Sequence, residues 1–440
     1  MRNRLLLRNI DIRYLFFLFL LSLFLIKIPS LYLFLIPQKI YSSHSFAKLI
    51  LFVLPLLMFT HKYNRVMYTV KNSLVMKLIF LFIFTSAVSV FSATDIRLFW
   101  KSFHNLLVAL VIFVSTYFFV KIINKKYFFK FILITGIFII TGEFLYFLFH
   151  SVVFKILNLI VQQEMLDVYR YDLARGRYSL ELISEAFLPF FIFEYKVNLN
   201  KRKLYYLILI FIVFFLSIIS NYRSRILIIL FAGILSLIWI WNFKKLHINR
   251  ILNIKPIVIS FLFLIIFYIS ISISDSLFSF NILDRIFLRN RSQDIFSLET
   301  RYRGYSKSFT LLLQSPLLGI GSGQYSLYNP TLSQFAYYDI EEKFKLDYTD
   351  YAASAPHNYL IQVLAENGIF GFSALLILIV FFLRNDISKL KSTSNRKIIP
   401  VIIASWTIFL FLMLNPANTI FRTGWFWFFR GLIEGSSDNL

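Results

Sequence analysis

The chain predicts an all-α polytopic membrane protein of about twelve transmembrane helices, with a large, partly helical external loop between the ninth and tenth. Three observations carry this. Hydrophobic residues make up 58% of the 440, with 54 Phe, and mean hydropathy is +0.71. Apolar runs near the ~20 residues needed to span a bilayer recur along the length. Lys and Arg collect in alternate connections, which is the signature of cytoplasmic loops.

Residues 1–440 read as a single membrane unit. Spans are expected near 13–36, 46–60, 73–93, 102–123, 127–148, 184–197, 203–220, 225–242, 254–274, 357–383, 398–414 and 418–433. The sixth and twelfth are short, and Pro29 breaks the first. That first segment lacks a small-residue cleavage site and reads as a retained span.

Orientation follows from the basic residues. Arg2, Arg4, Arg8 and Arg13 mark the entry to span one; Lys62, Arg65, Lys71 and Lys77 mark the connection into span three; Lys121, Lys125, Lys126 and Lys130 mark the connection between spans four and five. Lys196, Lys201, Arg202 and Lys203 repeat the pattern, as do Lys244, Lys245, Arg250 and Lys255, then Arg384, Lys389, Lys391, Arg396 and Lys397. Both termini are therefore placed in the cytoplasm. The opposite connections are near neutral, including loops 149–183 and 275–355. The net charge of +24 is thus a topology signal spread over short connections, and it argues against a nucleic-acid partner. With no cysteine, disulfides, thiolate metal sites and cysteine nucleophiles are excluded.

Loop 275–355 predicts an amphipathic helix at about 301–314, a turn at Ser315-Pro316, and a glycine turn at Gly319-Ile-Gly-Ser-Gly323. Those glycines follow no strand and open no βαβ unit. A nucleotide fingerprint is therefore a poor reading. A tight turn whose backbone N–H groups face a ligand is the better one.

Several side chains could carry chemistry. The short external connection after span seven holds Arg223 and Arg225, which the positive-inside rule does not call for there. Arg223 reads equally as a lipid-headgroup anchor. Arg225, at the mouth of a helix, reads as a bidentate phosphate ligand. Arg301 and Arg303 lie in the loop helix, either on a solvated face or toward an anion. Pro356 fits a helix's first turn. His357 would then sit at the helix N-terminus, where the dipole favours the uncharged imidazole that can accept a proton. Alone, it also fits an interfacial histidine with no role. Glu366 falls about 13 Å further along that helix. At that depth a carboxyl is either functional or paired with an arginine, or else Asn367-Gly368 breaks the helix. Glu143 and Glu185 raise the same question. The six histidines form no cluster with metal-ligand spacing, and there is neither a P-loop nor a Gly-x-Ser-x-Gly elbow.

Taken in order, these segments resemble the O-antigen ligase and polymerase superfamily over roughly residues 205–385. The resemblance rests on His357-Asn358, Leu360, Leu364, Glu366, Gly368 and Gly371, on Ser224-Arg225 opening a span, and on Arg301 fifteen residues before Pro316-Leu-Leu-Gly319. Tyr305 stands where the family usually has tryptophan. The resemblance implies a metal- and cofactor-independent, inverting glycosyltransferase in the bacterial inner membrane, working on its periplasmic face. The implied donor is an undecaprenyl-diphosphate-linked glycan. The acceptor is a lipid A-core sugar for a ligase, or another lipid-linked repeat for a polymerase. Residues matching Arg225 and Arg301 would hold the diphosphate, with Arg303 and Arg223 beside them. His357 would activate the acceptor hydroxyl, supported by Asn358, Tyr305 and Glu366. The rival is a transporter or flippase of the same lipid-linked sugars, but no internal repeat is evident.

Overall fold

The computed structural model describes residues 73–122, 125–149, 184–197, 202–220, 223–241, 292–328, 356, 358–392, 397–414 and 420–436, together with Phe19. The described residues contain no strand. The α-helices are α1 (Leu74–Val88), α2 (Ile96–Ile122), α3 (Lys125–Leu148), α4 (Leu188–Val197) and α5 (Arg202–Ile219). They continue with α6 (Arg223–Ser236), α7 (Ser292–Gln314), α8 (Tyr359–Ser392), α9 (Ile398–Leu414) and α10 (Ile420–Gly435).

Among the described residues, four stretches are long and apolar enough to cross a membrane: Leu74–Ser92, Ile96–Lys121, Tyr127–Leu148 and Tyr359–Leu390. They coincide with expected spans three, four, five and ten. Spans seven, eight and eleven appear as the shorter apolar helices Lys203–Ile218, Ser224–Ile240 and Ile398–Leu414. The sixth is a 3-10 turn over Ser184–Phe187 leading into the ten-residue α4. Spans one, two and nine lie outside the described residues apart from Phe19, whose buried ring sits 5.3 Å from that of Phe119. The loop helix is real and begins earlier than expected, at Ser292, ending at Gln314 as the Ser315-Pro316 turn requires.

The twelfth expected span, one of the two least regular in sequence, forms the centre of the bundle as α10. Trp425, Phe426, Trp427, Phe428 and Phe429 are all buried, and so are Arg430 and Glu434 on the same helix. Its glycines set the spacing to α2. A Cβ at Gly431 would lie 2.7 Å from the Phe113 carbonyl oxygen, and one at Gly435 would lie 2.6 Å from that of Tyr117. Small residues allow this backbone approach where no hydrophobic drive separates helix from lipid. α8 runs parallel to α10: Phe382 meets Phe426 and Trp427, Asp386 meets Arg430, and Lys389 meets Glu434.

The last pairs form a buried ion cluster. Arg430, 0% exposed, donates to Asp386 Oδ2 and Glu434 Oε1, each at 2.6 Å. Its guanidinium lies 4.0 Å over the Phe382 ring. Trp406 Nε1 donates to the same Asp386 oxygen at 2.7 Å, and Lys389 Nζ donates to Glu434 Oε2 at 3.2 Å. Two cations thus balance two carboxylates. Arg430→Met should strand Asp386 against Trp406 alone and cost about 3–5 kcal/mol. Thermal melting in detergent checks this, and an unshifted midpoint would contradict the central burial of α10.

Candidate functional site

α8 is broken at Gly368, whose φ of 63° and ψ of −166° leave the helix. An unbroken helix would bond the N–H groups of Ile369 and Phe370 to the carbonyls of Ala365 and Glu366. Here Ile369 N donates to Pro316 O at 2.9 Å and Phe370 N to Leu317 O at 3.3 Å. In exchange, Ala365 O accepts from Ile320 N at 3.1 Å and Glu366 O from Gly321 N at 2.9 Å. Backbone groups freed by the break are taken up one for one by the glycine turn, as burial away from water demands. Only glycine permits the contact. A Cβ on Gly319 (φ 71°) would lie 2.5 Å from Gly368 N, and a Cβ on Gly368 would lie 2.5 Å from Gly319 N.

This corrects the expectation that the turn's N–H groups face a ligand. They face α8, and those of Gly323 and Tyr325 bond the Glu366 carboxyl, which also accepts from Gln362 Nε2 at 3.2 Å. The turn is tied to α1 and α2 as well. Asn367 Oδ1 accepts from Ser322 Oγ at 2.6 Å, and Asn367 Nδ2 donates to Ser86 Oγ at 3.2 Å. Buried Gln324 accepts from Asp95 N at 2.9 Å and donates to Asp95 O at 2.7 Å.

Tyr325 carries the connection into α7. Its hydroxyl donates to Gly304 O at 2.7 Å, as does Ser308 Oγ, and Lys307 Nζ lies 4.1 Å over the Tyr325 ring. Gly304 in turn seats Pro356, whose Cα would be 3.1 Å from a Cβ there. Arg301 lies one turn before Gly304, and its Nη2 reaches Leu414 O at 3.5 Å at the end of α9. The structure therefore brings the Arg301 turn of α7 together with the residue preceding His357.

Pro356 is not a first-turn residue. α8 begins at Tyr359 with Asn358 as its cap: Asn358 Oδ1 accepts from Ile361 N at 3.2 Å. His357 lies outside the described residues and precedes the cap in sequence, one position beyond where the dipole argument placed it. The side chains of Arg303 and Arg223 are also outside the description, although their backbones lie in α7 and at the start of α6. Tyr305 is partly exposed.

Arg225 has an environment that the sequence reading missed. It is 3% exposed and grips Glu143 with both terminal nitrogens, Nη2 to Oε2 at 2.9 Å and Nη1 to Oε1 at 3.3 Å. Its Nε donates to Glu185, and Nη2 also donates to Ser184 Oγ at 2.7 Å. Ser217 Oγ adds a bond to Glu185 Oε1 at 2.9 Å. Arginine pairing, expected as one option for Glu366, occurs instead at Glu143 and Glu185. Both acids had been noticed in sequence, but nothing local linked them to Arg225.

Beside the break lies a cavity of about 100 Å³ bounded by α1, α2, α8, α10 and the glycine turn. Ser102, Asn105, Ser322, Gln362, Glu366 and Asn367 form its polar lining; Phe82, Phe103, Tyr359 and Trp427 contribute aromatic walls. Asn105 and Gln362 carried no signal in sequence, being single amides within apolar helices.

Arg225→Met should leave two buried carboxylates uncompensated and lower stability by about 3–5 kcal/mol. Arg301→Met, on a partly exposed site, should barely move the melting midpoint. Equal midpoints for the two variants would contradict the contrast in burial. Burial pushes the Lys307 amine down to about 8 from 10.5. The unfolded chain then holds more protons above pH 8, so stability should rise as pH climbs from 8. Below pH 10 this is separable from Tyr325, whose hydroxyl burial pushes up to about 12. Melting curves across pH 8 to 10 check it, with Lys307→Met expected to flatten the slope.

No curated protein matches the chain. Residues 207–376, running from α5 through α7 into α8 and holding Arg225, Arg301, the glycine turn, Glu366 and Gly368, match the family model described as O-Antigen ligase.

Proposed function

We propose that the protein is a membrane glycosyltransferase of polysaccharide assembly, moving a glycan from undecaprenyl diphosphate to an acceptor hydroxyl at the external face of the bacterial inner membrane. The acceptor is a lipid A-core sugar or a second lipid-linked repeat. One observation carries the reading: Pro356 is seated on Gly304, one helical turn from Arg301, so a cation and the segment bearing a candidate base share one place.

The chemistry asks for little more. The acceptor oxygen bonds to the anomeric carbon, inverting it, while the bond from that carbon to the diphosphate oxygen breaks. The electron pair leaves with the diphosphate, and the hydroxyl proton passes to His357. Arg301, with Arg303 beside it in sequence, neutralises charge gathering on the leaving group. Arg225 would join them by exchanging one carboxylate partner for a phosphate oxygen, with Arg223 at the same helix mouth. Asn358, next in sequence to His357, caps α8. Tyr305 lies one turn from Arg301 on α7.

Purified protein given lipid-linked donor and acceptor should form the glycosidic bond, with or without chelator. His357→Ala should slow transfer by about 10²–10⁴-fold, the usual worth of a general base. Arg301→Ala should slow it by about 10²–10³-fold. Wild-type rates from the folded His357→Ala protein would remove the base assignment.

A further inference from the structure

The cavity beside α8 opens a question that the leaving-group chemistry does not answer: what holds the sugar whose hydroxyl attacks. We propose that this cavity is the acceptor-sugar subsite, an inference that rests on the glycosyl-transfer reading. Its position suits that role. It starts at Tyr359, two residues after His357, and follows α8 through Gln362 and Glu366, roughly 10 Å at 1.5 Å per residue.

Its chemistry suits a carbohydrate. The hydroxyl of Ser102 and the amides of Asn105 and Gln362 can each donate and accept, as sugar hydroxyls require. The Glu366 carboxylate is an acceptor for the hydroxyl that a sugar must donate. Its position is fixed by Gln362 and by the N–H groups of Gly323 and Tyr325. The aromatic walls, from Phe103, Tyr359 and Trp427, match the apolar C–H face of a pyranose.

Charge distinguishes acceptor from donor. Among the described residues no Lys or Arg lines the cavity, so nothing there would neutralise a diphosphate, whereas a neutral sugar needs no counter-charge. Size sets the occupant. About 100 Å³ matches three waters at ~30 Å³ each, or the hydroxyl-bearing edge of a single sugar ring. The geometry therefore suits one residue of the acceptor entering by its edge.

The test uses the full chain in detergent, a fixed concentration of lipid-linked donor, and the acceptor glycan freed of its lipid. Both the lipid A-core oligosaccharide and the released repeat unit are tried. Asn105→Leu removes polar contacts. Ala109→Phe fills the space from an apolar lining position. Each should raise the acceptor KM about tenfold or more, the worth of one or two lost hydrogen bonds. The donor KM and the rate at saturating acceptor should stay at wild-type values. An unchanged acceptor KM in both variants, or a rise in donor KM instead, overturns the subsite while leaving glycosyl transfer standing. Absence of transfer by the wild type overturns both readings. If neither variant folds, Trp427 decides: saturating acceptor should shift its emission, read as the difference between wild type and Trp427→Phe. No shift overturns the proposal.

Discussion

The exchange of backbone hydrogen bonds between the glycine turn and the break in α8 is the contact on which the candidate site depends. A helix cannot be interrupted inside a bundle without stranding donors and acceptors, each costly when buried. Here the freed N–H groups at Ile369 and Phe370 go to Pro316 and Leu317, and the freed carbonyls at Ala365 and Glu366 take Ile320 and Gly321. The loop that follows α7 is thereby locked to α8, and α7 is locked through Tyr325 and Gly304 to Pro356. Without the two opposed glycines, Gly319 and Gly368, the backbones could not close. The Arg301 turn of α7 and Pro356 would then have no fixed relation.

Two ion clusters mark different halves of the molecule. Around Arg430 the charges balance, two cations against two carboxylates, and the arrangement packs α10 against α8. Around Arg225 a single guanidinium meets two glutamates. The second cluster joins α3, the 184–187 turn and α6, so its arginine holds helices together whatever else it binds. A buried charge left unpaired costs more than a pair gains. That asymmetry explains why Arg225 meets carboxylates here and why engaging a phosphate would require one of them to give way.

The proposed function combines a cationic helix turn with a polar cavity that, among the described residues, holds no Lys or Arg. The stretch that matches the O-Antigen ligase model holds Arg301, the glycine turn and the α8 wall of the cavity, while the walls from α1, α2 and α10 lie outside it. Arg301 at the end of α9 and the cavity among α1, α2 and α10 present opposite chemistries. One suits a leaving anion and the other an uncharged sugar. Such a division is what transfer between two bulky, lipid-borne partners asks of a site.

Much of this was legible in the residue order. Long apolar runs announced α1, α2, α3 and α8, because hydropathy is a local property. Asn367-Gly368 marked the break, since glycine tolerates the positive φ that follows. Ser315-Pro316 marked the end of α7. Pairings were not legible. Arg225 and Glu143 stand 82 positions apart, and Ser89 and Ser322 stand 233 apart; no periodicity links residues so distant. The same holds for the central place of α10, which is set by its neighbours and not by its own apolarity, and for the cavity, whose walls come from four helices and a loop. The sequence by itself determined where the helices run and where they must stop, because those depend on side-chain polarity and backbone freedom within a few residues. Only the tertiary structure decided which charge meets which and what the glycine turn faces, because those depend on backbones and buried groups finding partners across the whole bundle.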